Sequence, residues 1–291
     1  MAAEGLLFLR SSFLSRQGEP VWFESGSGTE RVAMPVFVEG NHAFSPLKAS
    51  FGGFQYQGIP DLVKVRHVLE NALDWMEKKR MSSFVLGLPP DAYTPEFHLK
   101  LMPLLVSLGF HLQWQDLNFH LDIDRPFSQH LSKSARWKRN KALREGYRFC
   151  FIPEPDWDQA YSFLMESRVR KGYALSMSRE GLEFAFKENP DLFRMAGVFK
   201  SGICAALSVS IRVSDEIEYV FYTADSLEHR KRSPVILLHE GLYSAAGFDG
   251  VKLLDLGTAS LKGLVNNGVA TFKRGLGGVG SLKSTLVRKF R

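Results

Sequence analysis

The sequence predicts an α/β (α+β) chain of two tandem units with mixed, largely antiparallel sheets. Two observations carry this. Each half of the 291 residues holds β-rich runs joined by turn residues and followed by a helix and a strand. In the second half, Leu192–Lys200, Ile203–Val213 and Glu216–Ala224 are β-rich and joined by the short turns Ser201-Gly202 and Ser214-Asp215, the mark of an antiparallel meander. With 45% hydrophobic and 23% charged residues, the composition is that of a globular chain and excludes disordered and fibrous classes.

In chain order, Val21–Glu24 and Arg31–Val38 read as a hairpin about the cluster Gly26-Ser27-Gly28-Thr29, followed by a loop. From Asp61 the apolar residues Leu62, Val63, Val68, Leu69, Leu73, Trp75 and Met76 recur at helical spacing to about Lys79. Ser83–Leu88 is a short buried strand ended by Pro89-Pro90, Pro95–Leu108 a helix ended by Gly109, and His111–Ile123 an alternating strand. Arg125-Pro126 is the expected boundary, giving domains 1–125 and 126–291, because proline restricts its predecessor to extended geometry and the charge changes sign there. Beyond it come a basic helix Phe127–Glu145 closed by Gly146, a strand Tyr147–Ile152, and helices Asp156–Lys171 and Arg179–Lys187. After the meander, Pro234 opens a helix to Ala246, Val251–Leu254 is a buried strand, and Leu261–Asn267 is a short helix. A Gly-rich loop and a final strand end the chain.

The net charge of +6 is unevenly placed. Residues 127–148 carry +6, residues 273–291 another +6, and the remainder therefore sums to −6. Two distant cysteines, Cys150 and Cys204, suggest neither a disulfide framework nor a CxxC site. The first ten residues lack the basic start and apolar length of a signal peptide, and no window reaches a membrane span, so a cytoplasmic location is expected.

Several motifs fail on context. Gly275–Gly280 satisfies G-x-G-x-x-G, but only 11 residues follow and none is acidic. A Walker A reading from Gly277 to Ser284 has Leu282 where glycine is required. No HExxH, paired metal spacing or GxSxG elbow occurs, so no metal site is expected. The basic helix spreads its charge around its circumference, so a solvated helix with one or two functional arginines fits better than a general nucleic-acid grip.

The informative stretch runs from Tyr222 to the glycine loop. Arg230, Lys231 and Arg232 precede Ser233-Pro234 and a helix, so three cations meet a helix N-terminus that already favours an anion. Leu237-Leu238, Asp255-Leu256-Gly257 and Phe272-Lys273 before Gly275 follow. Over about 127–291 this order resembles the acyl-CoA N-acyltransferase (GNAT) superfamily, and more closely its FemAB-like peptidyltransferase branch. Arg230, Ser233 and Val235 fall on the donor-loop pattern Q/R-x-x-G-x-G/A with both glycines replaced. Leu254 and His239 stand where that branch often has tyrosine and tryptophan. The first half fits by its α/β pattern and the loop from Ser45-Pro46 to Phe51-Gly52-Gly53.

The resemblance implies two tandem GNAT-like domains, the second carrying the donor motifs, with transfer in the cleft between them. An acyl or aminoacyl group would pass from a phosphate-bearing donor, acyl-CoA or aminoacyl-tRNA, to an amine acceptor such as a cell-envelope precursor. No permanently bound cofactor is implied. Lys273 is then the residue that handles the donor and the developing negative charge, Tyr222 a proton donor or relay, and Asp255 a carboxylate that orients the amine. Asp255 also fits a plain turn cap. Arg230, Lys231, Arg232, Ser233 and Phe272 would meet the donor, and Arg136 and Lys133 the substrate. The alternative is a non-catalytic protein that binds nucleic acid or another anionic partner on a degenerate GNAT scaffold.

Overall fold

A computed structural model describes residues 6–9, 11–14 and 17–290 of the chain. The leader reading at residues 1–5 and Arg10, and the terminal Arg291, lie outside the described residues. The fold is α/β. Its strands are β1 (Val21–Ser25), β2 (Val32–Glu39), β3 (His42–Ser45), β4 (Ser83–Gly87), β5 (His111–Asp122), β6 (Arg148–Phe151), β7 (Phe193–Lys200), β8 (Ile203–Ser214), β9 (Ile217–Asp225), β10 (Leu253–Thr258), β11 (Ser260–Leu261), β12 (Leu264–Val265) and β13 (Val279–Lys289). Its helices are α1 (Ser11–Leu14), α2 (Leu62–Lys78), α3 (Pro95–Ser107), α4 (Phe127–His130), α5 (Lys133–Arg144), α6 (Trp157–Arg170), α7 (Arg179–Glu188), α8 (Val235–Phe248) and α9 (Asn267–Gly275).

The chain forms two compact units. One comprises residues 1–118, 258–266 and 280–291; the other comprises 119–257 and 267–279. The division therefore falls inside β5, at Asn118/Phe119, and not at Arg125-Pro126, and the first unit recruits two pieces from the C-terminal end.

In the first unit the strand order is β1-β2-β3-β4-β13-β5. Pairs β1/β2 and β2/β3 are antiparallel and β3/β4 is parallel. The C-terminal strand inserts antiparallel to β4, with Leu286 opposite Leu86. Asp61 starts α2 by accepting from the Val63 amide at 2.8 Å, and the apolar stripe of that helix, Val65, Val68, Leu69, Ala72 and Met76, is fully buried. It packs with Leu101 and Leu105 of α3 and with Met34, Val36, Phe84 and Leu86 of the strands. In the loop after β3, Gly52 is obligatory, since a Cβ there would lie 2.3 Å from the Ser45 backbone.

In the second unit the order is β5-β10-β9-β8-β7-β6. The expected meander is present: β7/β8 and β8/β9 are antiparallel, and Ser201 and Gly202 both take positive φ, as a type I′ turn requires. Asp156 and Ser178 cap α6 and α7, accepting from Gln159 and Gly181 at 3.1 Å.

Four expectations are corrected. The basic helix is not continuous over 127–145: Leu131 is extended, and Ser132 restarts the chain as a cap by accepting from the Ala135 amide at 3.2 Å. Residues 261–267 are not a helix but the hairpin β11/β12, because Lys262 and Gly263 both sit at positive φ between Leu261 and Leu264. The segment read as a Gly-rich loop forms α9 before its glycines. The loop after β2 contains β3.

Candidate active site

Every side chain of the candidate site belongs to the second unit. Its foundation is a parting of two parallel strands. β10 pairs with β9 from Leu253↔Ile217 to Asp255↔Tyr219 and no further, although β9 continues to Asp225. A bulge lies at that point: Val209 of β8 opposes Tyr222 and Ser210 opposes Val220, which leaves Phe221 as the extra residue. A bulge bends its strand and re-aims the following side chain. Here it brings the Phe221 and Tyr222 ring centroids to 4.1 Å.

The gap beyond Asp255 is filled by Lys273 of α9. Its ammonium Nζ donates to the Gly257 carbonyl at 2.8 Å, and only 8% of the residue is exposed. Gly257 takes φ +80°; a Cβ on it would lie 3.4 Å from Tyr219 Cε2 and 3.8 Å from Lys273 Nζ. Glycine is favoured there by the positive φ, while both neighbours would stay at ordinary contact distance from a Cβ. Asp255 is buried, and its Oδ1 accepts from the Gly257 amide at 2.7 Å, so the carboxylate fixes the turn that presents the Gly257 carbonyl to Lys273.

Burial lowers the Lys273 pKa to about 7; the Asp255 carboxylate opposes the shift and the Arg168 charge adds to it. Lys273 is thus an amine that changes charge near neutrality. His239 of α8 packs edge-on to Phe272 at 5.9 Å and hydrogen-bonds the Val235 carbonyl at 2.8 Å. Burial, with the Lys273 charge as a smaller contribution in the same direction, takes its pKa down to about 4, so the imidazole is neutral and the bond to Val235 is donated by Nδ1–H.

Tyr222 is buried, and its hydroxyl faces the segment after α6. It accepts from the Ser176 and Met177 amides at 3.0 and 3.1 Å and shares a 2.6 Å bond with Ser176 Oγ. The Arg168 guanidinium lies over its ring, 5.1 Å from the centroid. Lys273 and Asp255 are therefore adjacent, whereas Tyr222 connects to them through Arg168 and through its own strand.

The basic turn lies at the far end of β9. Arg230 Nε sits 3.5 Å from Asp225 Oδ2, Arg232 Nε bonds Glu145 at 2.7 Å, and Lys231 is exposed. Ser233 takes φ +53°, the left-handed conformation for which glycine is the ordinary choice, and Pro234 caps α8 without an N–H to offer. Asp225 also binds Arg170 and Lys171, at 3.2 and 2.6 Å. Burial works to raise its carboxyl, but Lys171, Arg170 and Arg230 outweigh that and hold the pKa below the usual value. A cavity of about 490 Å³ opens here, lined by Phe163, Glu166, Arg170, Asp225, Leu227 and Glu228 among others.

Lys133 and Arg136 are exposed on the first turn of α5, the end that docks on α9: the Ser132 amide donates to the Gly275 carbonyl at 3.0 Å. Farther along α5, Arg139 is held in a two-point pair with Glu240 at 2.5 and 2.8 Å. Sequence reasoning missed Arg168, which no motif marks, and Tyr219, whose place is set by the strand parting.

The meander, basic turn and following helix expected from the sequence are present, and solved structures share the fold. FemX superposes with a TM-score of 0.70 at 12% identity, covering 99% of this chain and 93% of that one. The chain has the FemAB-like GNAT fold. L-PGS from Bacillus licheniformis follows at TM-score 0.64 and 16% identity, over 99% of this chain and 88% of that one. A tandem GNAT protein from the clavulanic acid biosynthesis pathway gives 0.53 and 14%, over 94% and 85%. No family model and no curated protein matches the sequence. Among the described residues, no helix of this GNAT fold is long and apolar enough to cross a membrane.

Proposed function

We propose that the chain is a transferase that moves an acyl or aminoacyl group from a phosphate-bearing donor, acyl-CoA or aminoacyl-tRNA, to a primary amine. The observation that carries this reading is Lys273, a buried amine with a pKa of about 7, held at the mouth of the parted strands on the Gly257 carbonyl. In the proposed reaction the acceptor nitrogen attacks the ester or thioester carbon. The new C–N bond forms, negative charge builds on the carbonyl oxygen, and the C–O or C–S bond then breaks. A fixed cation beside that oxygen lowers the barrier. A group that titrates near neutrality can also pass the proton lost by the attacking nitrogen to the departing oxygen or sulfur.

The donor phosphates would be met by Lys231, Arg230 and Arg232 at the turn before α8, and by Lys133 and Arg136 on α5. Phe272 and Ser233 would shape the passage between them. The acceptor in this reading is an amine such as that of a cell-envelope precursor. The test is transfer of labelled acetyl from acetyl-CoA, or of a labelled amino acid from tRNA, to a panel of amines. Lys273→Ala is expected to abolish transfer while melting as a folded protein. Full transfer by that variant overturns the assignment.

A second reading, binding of nucleic acid without catalysis, draws on Trp137, which is 58% exposed on α5 with Lys141 Nζ 5.1 Å from its ring centroid. Sequence-independent RNA affinity that falls steeply with salt, without transfer from either donor, would favour it.

A further inference from the structure

In sequence α5 carries charge on every side, but in the fold its sides are not equivalent. Ala135 and Ala142 are buried, and Arg139 between them is paired with Glu240 of α8, so these three mark the side that packs. At about 100° per residue, Lys133, Trp137, Lys141 and Arg144 gather on the opposite side, with Arg136 and Lys138 on its flanks. Lys133, Arg136, Lys138 and Arg144 are exposed, and Trp137 is 58% exposed among them. No carboxylate among the described residues pairs with Lys133, Arg136, Lys138, Lys141, Arg144 or Arg148. The one acid between positions 127 and 148, Glu145, is taken by Arg232 at 2.7 Å.

Such a helix is unfavourable by itself. Lys133 and Arg136 stand in the first turn, where the helix dipole disfavours cations, and Lys138–Lys141 and Lys141–Arg144 are like charges three residues apart. A polyanion laid along the outward side relieves both. The centre of the patch indicates which polyanion. Lys141 Nζ lies 5.1 Å from the Trp137 ring centroid, and the exposed indole keeps surface beside that cation for a flat partner. An aromatic ring set among cations suits a strand whose bases are unpaired, since a base can stack on the ring while phosphates meet the lysines and arginines. A duplex hides its base faces. A lipid surface would favour Leu, Ile or Phe on this side, and the outward positions 133, 137, 140, 141 and 144 carry none. Unpaired bases are presented above all by the loops and ends of RNA.

We infer that the outward face of α5 is a docking surface for an unpaired RNA strand. From Lys133 to Arg144 the face runs about 16 Å at about 1.5 Å per residue, enough for several phosphates of one strand. The face belongs wholly to the second unit. It binds whether or not the protein transfers a group, so it goes beyond the transferase reading above and does not require the absence of catalysis.

The test is fluorescence anisotropy of a short dye-labelled oligouridylate with the full-length protein at low salt. The comparisons are the same strand annealed to its complement, an oligothymidylate of equal length, and phosphatidylglycerol vesicles. Saturable binding of the RNA strand is expected, with the duplex weaker. Trp137→Ala is expected to lose ~10-fold or more in affinity, and Trp137→Phe, which keeps a ring, to lose less. Replacing both Lys141 and Arg144 by glutamine should reduce the slope of log affinity against log salt by roughly 1.4, at about 0.7 per phosphate contact. Lys187→Gln removes the same charge at an exposed site on α7 and should leave the affinity unchanged. Thermal melting checks that each variant is folded. Equal binding by folded Trp137→Ala and the unaltered chain overturns the assignment. So does a duplex bound as tightly as the strand, a preference for the deoxy strand, or capture of vesicles without RNA. Failure of strand binding leaves transfer from acyl-CoA to be tested on its own, and strand binding by a protein that transfers nothing removes the transferase reading while the docking face stands.

Discussion

Replacing Lys273 with methionine should change how stability depends on pH, and the size of the change follows from the lysine's surroundings. In the unfolded chain its pKa is the ordinary 10.5; in the fold, burial takes it to about 7. At ~1.4 kcal/mol per unit, this difference amounts to about 5 kcal/mol between the fully deprotonated and fully protonated limits. Above 10.5 neither state carries the proton and the fold bears no penalty. As pH falls toward 7 the unfolded chain takes up a proton that the folded chain resists, so stability is lost through that window. Below 7 both states are charged and the loss is complete. Urea denaturation of the two proteins at about pH 7 and about pH 9 should show the unaltered chain gaining about 2 kcal/mol over Lys273→Met between those values. The subtraction removes every other titrating group common to both proteins. A difference that stays constant across that range would mean that Lys273 titrates alike in both states, and the account of its burial would fail.

Two further substitutions probe the supports of the site. Tyr222→Phe removes the oxygen that accepts from the Ser176 and Met177 amides, so hydrogen exchange at those amides should accelerate, with about 1–3 kcal/mol lost in global stability; unchanged exchange would show that the hydroxyl does not hold the segment. Gly277→Ala would place a Cβ 2.4 Å from the His130 carbonyl oxygen at φ +87°, so a loss of more than ~2 kcal/mol is expected in chemical denaturation, and a neutral result would contradict the packing of α4 on the turn after α9.

Elements whose pattern lies within their own residues were legible. The α2 stripe and its Asp61 cap, and the meander with its Ser201-Gly202 turn, needed only local periodicity and turn chemistry. The misreadings concern segments whose conformation is decided elsewhere. α9 contains Gly268 and ends at Gly275, a poor helix by propensity; it is held because Ala270 and Lys273 are buried and because the Leu276 amide bonds the Phe272 and Lys273 carbonyls. The β11/β12 hairpin depends on Lys262 at positive φ, a lysine that nothing in the sequence marks. It is fastened by Asp116, which accepts from Ser260 Oγ at 2.6 Å and from the Gly263 amide at 3.0 Å across more than a hundred residues. Likewise, β13 finds β4 only in the assembled sheet.

The site divides along the same line. Lys273 was legible as half of a Phe-Lys pair before glycines, and Asp255 as part of D-x-G, but neither motif carries the property that makes the lysine useful. That property comes first from burial of the amine, and then from the opposing charges of Asp255 on β10 and of Arg168 on a helix more than a hundred residues earlier. These same conditions explain why the position suits lysine and not arginine. An arginine there would remain charged at any working pH and would be a fixed cation alone. A lysine held near 7 gives a cation that stabilises negative charge and, after losing its proton, an amine that accepts one. Burial, the turn-bound Asp255 and the charge of Arg168 each act on that balance, so the character of Lys273 resides in the spacing of several elements more than in any one motif.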